Sequence, residues 1–284
     1  MSKEVVAIDS QRLNTLQNCA YKFELVFNRD LVPVQQSEPI EQGDLIHKML
    51  QEYYTLRGIR ERQGRPRIPI DEITRICERI AERHAITLSI PNAEIEDTFR
   101  VFSEYIYYYW NEPHETIKVE DVGSKVLYED DELAIVYEAK IDWICSIANC
   151  NRLPVDHKSY RSKRNILDLN NQFMGYCWML DVRNIMINRI GFQTTVAPKD
   201  KFVRPILSYS KPMLDNWVRN TIWWVKQLMR YEKEGVWPQN FTSCDKYSGC
   251  IFIPVCSCAP ENHNEKLISL FDIKETKWDI GASL

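Results

Sequence analysis

The sequence lacks any long apolar run. None of its apolar stretches approaches the ~18 residues that a membrane-spanning helix needs. The opening residues, MSKEVVAIDSQRLN, contain no apolar segment of signal-peptide length. We therefore expect a cytoplasmic protein with no membrane partner.

An excess of basic residues is also missing. The chain has 36 lysines and arginines against 40 aspartates and glutamates, which gives a formal net charge of −4. Proteins that coat nucleic acid are usually basic, so this class is disfavoured. A nucleic-acid enzyme with a metal site stays open, because such a site needs acidic ligands and a local basic patch can contact the phosphates.

Two further absences concern organisation. The chain has no flexible linker rich in glycine and serine and no internal repeat, and its 284 residues fit one large domain or two small ones. It also has no GxxxxGK[ST] loop, so a helicase, recombination or integration partner would have to be a separate protein.

The order of hydrophobic patterns predicts a mixed α/β fold. Helical spacing covers Ser10 to Phe27 and Glu41 to Leu56, with Ser10 as the expected cap. Gly58 to Pro69 is predicted to be a loop at the start of a helical insertion over about 58–115. Alternating strands follow over 117–160, and then come helix, strands and a long helix over 211–234. The polar stretch 259–284 is predicted to be a loosely packed tail.

Two adjacent strands carry charged residues on one face. Residues two apart share a face of a strand, so Asp156 and Lys158 of PVDHKSY point the same way. Asp142, on the preceding strand, converges with them if the two strands form a hairpin. Two carboxylates and a lysine suit a hard divalent ion and a phosphate substrate. A solvated sheet face with mixed charges is the alternative.

Three helical residues extend this pattern. His47 follows Gly43 by four positions on one helix face, and Gln172 and Tyr176 are spaced in the same way on a later helix. An imidazole suits Mn²⁺ and related metals. Gln and Tyr side chains can contact phosphate, sugar or base. Taken singly, each of these residues also fits an ordinary structural role.

The order of these motifs resembles the RecB-like branch of the PD-(D/E)XK nuclease superfamily, including the CRISPR-associated RecB-like exonucleases and the AddB nuclease domain. The matching stretches are GDLIH, KIDWI, PVDHKSY and QFMGY, in this order along the chain. The resemblance implies a restriction-endonuclease-like core, a mixed central sheet flanked by helices, and metal-dependent cleavage of DNA.

The same resemblance implies roles for individual residues. Mg²⁺ or Mn²⁺ would be held by His47, Asp142, Asp156 and the backbone carbonyl of His157. Lys158 would be the catalytic lysine. Gln172 and Tyr176 would complete the catalytic site against the DNA.

Four cysteines form a separate set near the two ends of the chain. Cys19 lies early, and Cys244, Cys250 and Cys256 lie close together late, which suits a [4Fe–4S] cluster or a tetrahedral Zn²⁺. The resemblance favours an iron–sulfur cluster that staples the ends of a nuclease domain over 1–258. The C-x5-C-x5-C spacing departs from the C-x2-C-x5-C common in that family, and Cys258 is an alternative ligand.

A basic stretch follows the second charged strand. Arg161, Lys163 and Arg164 lie directly after Lys158, where they are predicted to contact the DNA backbone. Lys199, Lys201 and Arg204 are candidates to extend this patch. A solvated loop is the alternative for both stretches.

The sequence as a whole therefore predicts a metal-dependent DNA exonuclease that hydrolyses phosphodiester bonds by a metal-activated water, with a role in DNA repair, recombination or defence. The alternative is a non-catalytic DNA-binding or complex-forming module that keeps the fold and a structural metal cluster. All the expected active-site residue types are present, which favours the enzyme.

Overall fold

The structure is a computed structural model that describes residues 3–34, 39–88, 92–148, 150–161, 169–246 and 249–274. Its helices are α1 (Ser10–Asn18), α2 (Ala20–Phe23), α3 (Pro39–Arg62), α4 (Ile70–Leu88), α5 (Asn92–Tyr108), α6 (Asn171–Leu180), α7 (Pro198–Lys201), α8 (Lys211–Glu234), α9 (Ile253–Cys256) and α10 (His263–Leu270). Its strands are β1 (Glu4–Ile8), β2 (Leu31–Pro33), β3 (Glu115–Glu129), β4 (Leu133–Ile147), β5 (Cys150–Tyr160), β6 (Asn184–Gly191), β7 (Phe202–Val203), β8 (Ile206–Ser208) and β9 (Phe271–Ile273).

The chain divides into two compact units. Unit 1 comprises Met1–Gln36, Gly123–Ala139 and Pro212–Leu284, and unit 2 comprises Ser37–Val122 and Lys140–Lys211. Strands β3 and β4 each contribute one part to unit 1 and the other part to unit 2. All the residues predicted for catalysis lie in unit 2, and the four clustered cysteines lie in unit 1.

The sheet of unit 2 is mixed. The second part of β4 runs antiparallel to β5, β5 runs parallel to β6, and β6 pairs antiparallel with both β7 and β8. Strand β4 shows the alternation predicted from its sequence, with Ala139, Ile141 and Trp143 buried. This mixed sheet with surrounding helices is the predicted α/β, restriction-endonuclease-like architecture.

Helices α3 and α5 supply much of the core of unit 2. Their buried apolar side chains pack with those of the strands in one hydrophobic cluster that includes Leu45, Met49, Phe102, Trp143 and Val155. Burial of this apolar surface, at roughly 25 cal/mol per Å², is the main stabilising contribution to the unit. The cluster holds α3 and β5, which carry predicted site residues, in a fixed core.

Unit 1 has its own apolar clusters. In this unit β1 pairs in parallel with the first part of β4, and β2 pairs antiparallel with β9. Leu16, Phe23 and Leu228 pack in one cluster of α1, α2 and α8. Leu25, Phe252, Val255, Leu267 and Phe271 pack in another. Leu267 and Phe271 lie within the stretch that the sequence suggested was a loose tail, so residues 259–274 are folded and only 275–284 lie outside the described residues.

Two helix boundaries differ from the expectations. The predicted helix over Ser10 to Phe27 is interrupted at Cys19, which has an extended backbone, and it is capped by Asp9 rather than Ser10. Asp9 Oδ1 accepts from the backbone N–H groups of Gln11 and Arg12, as an N-cap side chain does. Helix α3 continues through Gly58 to Arg62, so the first part of the predicted loop is helical. No described helix is long and apolar enough to cross a membrane.

Candidate active site

Two antiparallel strands bring the predicted carboxylates together. Trp143 on β4 pairs with Val155 on β5. Because the two strands are antiparallel, Asp142 and Asp156, each one position away, lie opposite each other. The backbone N–H of His157 donates to Asp142 Oδ2 at 2.8 Å. This hydrogen bond holds the Asp142 carboxylate against the strand that carries Asp156.

Lys158 connects the strand to helix α6. Its Nζ lies 2.9 Å from Asp156 Oδ2 and donates to Gln172 Oε1 at 3.1 Å. Gln172 Nε2 donates to the Tyr176 hydroxyl at 2.9 Å, and that hydroxyl donates to the Lys140 carbonyl at 2.6 Å. The four side chains of Asp156, Lys158, Gln172 and Tyr176 therefore form one continuous polar chain.

The start of α6 fixes where Gln172 lies. Asn170 caps the helix, because its Oδ1 accepts from the backbone N–H of Gln172 at 2.8 Å. Tyr176 follows one helical turn later on the same face. Tyr176 is only 3% exposed, so its hydroxyl holds Gln172 and a backbone carbonyl within the fold.

His47 reaches the same place from helix α3. Its Nδ1 lies 4.0 Å from Asp142 Oδ2, and its ring meets the His157 ring edge-on with centroids 5.9 Å apart. Gly43, one turn earlier, faces β5, since a Cβ there would lie 3.4 Å from Ser159 Oγ. The glycine thus lets the first part of α3 approach the strand that carries the other site residues.

Burial shifts the charge states of these groups. It raises the pKa of both Asp142 and Asp156 to about 6, and Lys158 partly opposes the shift at each carboxyl. Burial, followed by the positive charge of Lys158, lowers the pKa of His47. Burial also disfavours the charged form of Lys158, but Asp156 and Asp142 outweigh it and leave the pKa of Lys158 raised. Burial therefore favours a neutral imidazole at His47 and works against ionisation of the two carboxyls, while the carboxyls favour the charged ammonium of Lys158.

These donor types fit Mg²⁺ or Mn²⁺. Carboxylates and a neutral imidazole are the forms that bind a metal. Asp156 Oδ2 is buried and has no directed hydrogen bond, although Lys158 Nζ lies at ion-pair distance. Because Asp156 Oδ2 accepts no hydrogen bond, it suits the role of a metal ligand. Across the described part of the chain, however, no group of three or more His, Cys, Asp or Glu side chains stands ready to hold a metal ion.

A further acidic residue, Glu120, was not identified from the sequence. It lies on β3 with a positive φ of 51°, and its Oε2 lies 2.8 Å from Lys140 Nζ. Burial has the largest effect on the pKa of both groups, raising that of Asp142 and lowering that of His47. The negative charge of Glu120 is a smaller effect that raises both. The electrostatic surroundings of the predicted ligands therefore include a carboxylate from a third strand. Its stretch, KVEDVG, carries no motif that would have pointed to it.

A buried polar cluster behind His157 was also missed. Asn188 on β6 lies beside the His157 ring, with Nδ2 and Nδ1 2.7 Å apart, and Arg204 donates from Nε to Asn188 Oδ1 at 3.1 Å. Arg204 was expected to extend the DNA-contacting patch. That expectation is wrong, because Arg204 is buried and pairs with Glu112. The partners are too far apart in sequence to have been recognised from it.

The predicted basic stretch is only partly described. Arg161 is 64% exposed at its side chain, donates to Gln42 Oε1 at 2.5 Å and lies 3.9 Å from Glu94 Oε1. Lys163 and Arg164 lie outside the described residues. Lys201, like Arg204, does not extend the patch, since it is buried and paired with Glu104, whereas Lys199 is exposed.

The four clustered cysteines line one cavity of unit 1. This cavity of about 280 Å³ is bounded by Cys19, Cys244, Cys250 and Cys256. Burial, and then the nearby Cys250, Cys19 and Cys244, raise the pKa of Cys256 to about 11. Cys258 lies outside this lining, and its thiol contacts the Val255 carbonyl at 3.2 Å. The structure thus gathers the predicted four thiols around one space, while what they bind stays a prediction.

Comparison with solved structures shows the fold. A crystal structure from Eubacterium rectale named "Putative exonuclease" matches with a TM-score of 0.50 at 10% identity, covering 84% of this chain and 86% of that one. The structure of SSO0001 matches with a TM-score of 0.33 at 15% identity, covering 73% of this chain and 96% of that one, and is too distant to support an argument. No curated protein matches the sequence significantly.

The sequence itself matches a protein family over most of its length. Residues 10–257 match the family model described as the PD-(D/E)XK nuclease superfamily. The matched region contains the hairpin with Asp142, Asp156 and Lys158, as well as His47 and Gln172. The chain belongs to the PD-(D/E)XK nuclease superfamily.

Proposed function

We propose that this protein is a metal-dependent DNA exonuclease of the RecB-like branch, which hydrolyses phosphodiester bonds. The observation that carries the proposal is the contact between Lys158 and Asp156, 2.9 Å apart, beside Asp142 and His47 in a chain of this superfamily. The contact supports the proposal because hydrolysis of a phosphodiester needs a metal ligand and a positive charge side by side, and Asp156 and Lys158 supply these two groups.

Four groups would hold the ion. They are the carboxylates of Asp142 and Asp156, the imidazole of His47 and the backbone carbonyl of His157. When bound, Mg²⁺ or Mn²⁺ polarises a phosphoryl oxygen and lowers the pKa of a bound water. Burial lowers the pKa of His47 and so favours its neutral, metal-binding form. It raises the pKa of Asp142 and Asp156, and a bound cation would favour their ionised forms against that effect.

Lys158 supplies positive charge where negative charge develops on the phosphate. A preorganised cation in a partly desolvated site stabilises such a transition state more than it would in water. Gln172 holds the ammonium from one side and Asp156 from the other. Tyr176 fixes Gln172, so the orientation of Lys158 is set before the substrate arrives.

Basic residues next to the site would contact the DNA backbone. Arg161, together with Lys163 and Arg164, follows β5 directly in the sequence. Neutralising phosphates gives affinity that falls as the salt concentration rises. A mainly phosphate-directed patch fits an enzyme that degrades DNA of any sequence.

The testing experiment is a cleavage assay on end-labelled linear DNA and on circular DNA, single- and double-stranded, with Mg²⁺, Mn²⁺ or EDTA. We expect degradation of linear DNA that requires the metal and that is lost in Asp142→Ala. Wild-type activity in EDTA, or full activity in Asp142→Ala, would contradict the proposal. Cleavage of closed circles would contradict the exonuclease assignment while leaving the nuclease.

The alternative function is a non-catalytic DNA-binding or complex-forming module. It would be favoured by metal-independent DNA binding without cleavage under every metal tested. A separate helicase or recombination partner is compatible with either function. The complete polar chain from Asp156 to Tyr176 argues for the enzyme, because a protein that no longer cleaves has no need to orient Lys158.

We further propose that Cys19, Cys244, Cys250 and Cys256 hold a structural [4Fe–4S] cluster, with Zn²⁺ as the alternative. All four line one cavity of about 280 Å³, which is roomy for a single ion. Burial, and then the neighbouring thiols, raise the pKa of Cys256 and of Cys244, so a bound cation would favour the ionised thiolates at these positions. Such a cluster would tie α2 to the segment around α9 within unit 1.

A further inference from the structure

Asn188 lies directly behind the proposed metal ligands. It is completely buried on β6, where it is the cross-strand partner of His157 on β5. Its Nδ2 lies 2.7 Å from His157 Nδ1 and donates to the Tyr105 hydroxyl at 2.8 Å. Its Oδ1 accepts from Arg204 Nε at 3.1 Å. Every polar atom of this buried amide therefore has a partner.

These contacts determine the state of the His157 ring. A guanidinium can only donate hydrogen bonds, so Arg204 must face the oxygen of the Asn188 amide. The amide nitrogen then faces His157 Nδ1, which has to accept. His157 is thereby fixed as the neutral tautomer that carries its proton on Nε2. Arg204 thus sets the tautomer of His157 through one intervening side chain.

Arg204 is itself held from several sides. Its terminal nitrogens donate to the hydroxyls of Tyr54 at 2.9 Å and Tyr105 at 2.6 Å and pair with Glu112, and its guanidinium lies 3.5 Å from the centroid of the Tyr109 ring. A buried arginine is destabilising unless it is paired in this way. The fold of unit 2 therefore holds a fixed cation behind Asn188.

His157 links this cluster to the proposed ligands by two routes. Its backbone N–H donates to Asp142 Oδ2 at 2.8 Å. Its ring packs edge-on against the His47 ring, with centroids 5.9 Å apart. A shift of His157 therefore reaches the His47 imidazole through the ring and the Asp142 carboxylate through the backbone N–H.

We infer that Asn188, fixed by Arg204, is a positioning residue of the metal centre: it locks the His157 ring so that Asp142 and His47 are held in their binding positions. The inference rests on the proposed function, because the metal ligands are those proposed there. Residues that orient metal ligands from outside the ligand set change metal affinity by about 10- to 100-fold when they are replaced.

The test measures Mn²⁺ binding by the full-length protein without DNA, by following free Mn²⁺ with electron paramagnetic resonance. Asn188→Leu removes the amide at similar volume, and we expect the Mn²⁺ dissociation constant to rise about 10- to 100-fold. Asn188→Asp keeps the acceptor for Arg204 and holds the His157 ring in the same place through the opposite tautomer, with the proton on Nδ1, so it tests the position of the ring rather than its tautomer. It should therefore bind Mn²⁺ within about threefold of the wild type, by the same reasoning.

Controls separate positioning from stability. Val101→Ala removes fully buried apolar volume from the same core and deletes no polar group of the cluster, so it should lower the thermal stability and leave the Mn²⁺ dissociation constant unchanged. If Asn188→Leu does not fold, Asn188→Ser takes its place with the same expectation, because serine is too short to bridge Arg204 and His157.

The outcomes are distinct. A folded Asn188→Leu with the wild-type Mn²⁺ dissociation constant overturns the inference, and so does a wild-type protein that binds no Mn²⁺. A wild-type protein that binds Mn²⁺ in an Asn188-dependent way but never cleaves DNA supports the inference while overturning the proposed nuclease function. Loss of binding in Asn188→Leu with rescue in Asn188→Asp supports it directly.

Discussion

The ammonium group of Lys158 donates to Gln172 Oε1 at 3.1 Å, across fourteen residues of sequence. Gln172 is in turn held by the Tyr176 hydroxyl at 2.9 Å. The position of the proposed catalytic lysine is thus determined by the helix that follows its strand as well as by its own carboxylate partner. Because the residues act as one chain, replacing any of them should disturb the others.

Removing the lysine should abolish cleavage while the fold survives. In Lys158→Ala we expect the rate of DNA cleavage to fall by at least about 100-fold, as on loss of a preorganised group that stabilises transition-state charge. The matched control is Lys199→Ala, since Lys199 is exposed. Steady-state cleavage rates and circular dichroism check the expectation. Equal activity in the two variants would remove Lys158 from the mechanism.

The hydroxyl of Tyr176 should matter for turnover more than for substrate binding. Tyr176→Phe deletes the group that holds Gln172 and the Lys140 carbonyl, so we expect a lower kcat, a nearly unchanged KM and a stability loss of about 1–2 kcal/mol. Tyr109→Phe is the control, because it deletes a comparable hydroxyl-to-carbonyl bond, at 2.9 Å to Phe202. If kcat falls equally in both variants, the loss reflects lower stability and not the position of Gln172.

The two buried carboxyls should each contribute less to the stability of the metal-free protein at neutral than at acidic pH. Burial raises the pKa of Asp142 and Asp156 to about 6 in the folded state, whereas an unfolded Asp has a pKa of about 3.9. Between these values each folded carboxyl binds more protons than its unfolded form, so its contribution to stability falls as the pH rises from about 4 to about 6. The loss is roughly 1–3 kcal/mol for each carboxyl.

The measurement is chemical unfolding in EDTA from pH 4.5 to 8. Asp142→Asn should be more stable than the wild type above pH 6 and should show a weaker dependence on pH, because the amide cannot ionise. Saturating Mg²⁺ should restore wild-type stability at pH 7, since a bound cation favours the ionised carboxylates. If the stability difference between Asp142→Asn and the wild type does not grow from pH 4.5 to 7, the raised pKa of Asp142 is contradicted.

The hairpin at the site could be predicted because its signal is local. Strand alternation in β4 and β5 fixes which residues share a face, and the short connection between the two strands favours a hairpin register that brings Asp142 near Asp156. The fold class followed from the same patterns. The contribution of Asn188 and Arg204 could not be predicted, because Arg204 meets Tyr105 and Tyr54 across 99 and 150 residues of sequence. Contacts at this separation leave no periodic pattern.

Helix ends were harder to predict because tertiary packing overrode local preference. Gly58 was expected to begin a loop, since glycine weakens a helix by about 1 kcal/mol relative to alanine. In the structure the helix continues, and a Cβ at Gly58 would lie 2.9 Å from Thr116 Cγ2. The glycine is thus explained by the close approach of α3 to β3 within unit 2, which the local sequence does not show.

Alanine at position 58 should therefore destabilise the protein despite its better helix propensity. Gly58→Ala forces a methyl group against Thr116, and we expect a loss of about 1–3 kcal/mol in the free energy of unfolding. Thr116→Ala combined with Gly58→Ala removes the closest contact, at Thr116 Cγ2, and leaves the Thr116 Cβ 3.1 Å away, so the double variant should recover part of the loss caused by Gly58→Ala alone. If the losses of the two single variants add in the double-mutant cycle, the two residues do not compete for the same space.

The four cysteines around the unit 1 cavity should determine the metal content of the protein. In Cys250→Ser we expect anaerobically purified protein to lose its bound iron, because a four-thiolate cluster loses one of its ligands. Cys258→Ser is the matched control, since Cys258 is close in sequence and lies outside the cavity lining. It should keep the full iron content and visible absorbance.

Elemental analysis measures the iron and zinc content of both variants. Zinc in the wild type, lost in Cys250→Ser, would establish the zinc alternative. Iron or zinc retained at wild-type level in Cys250→Ser would contradict the proposed ligand set.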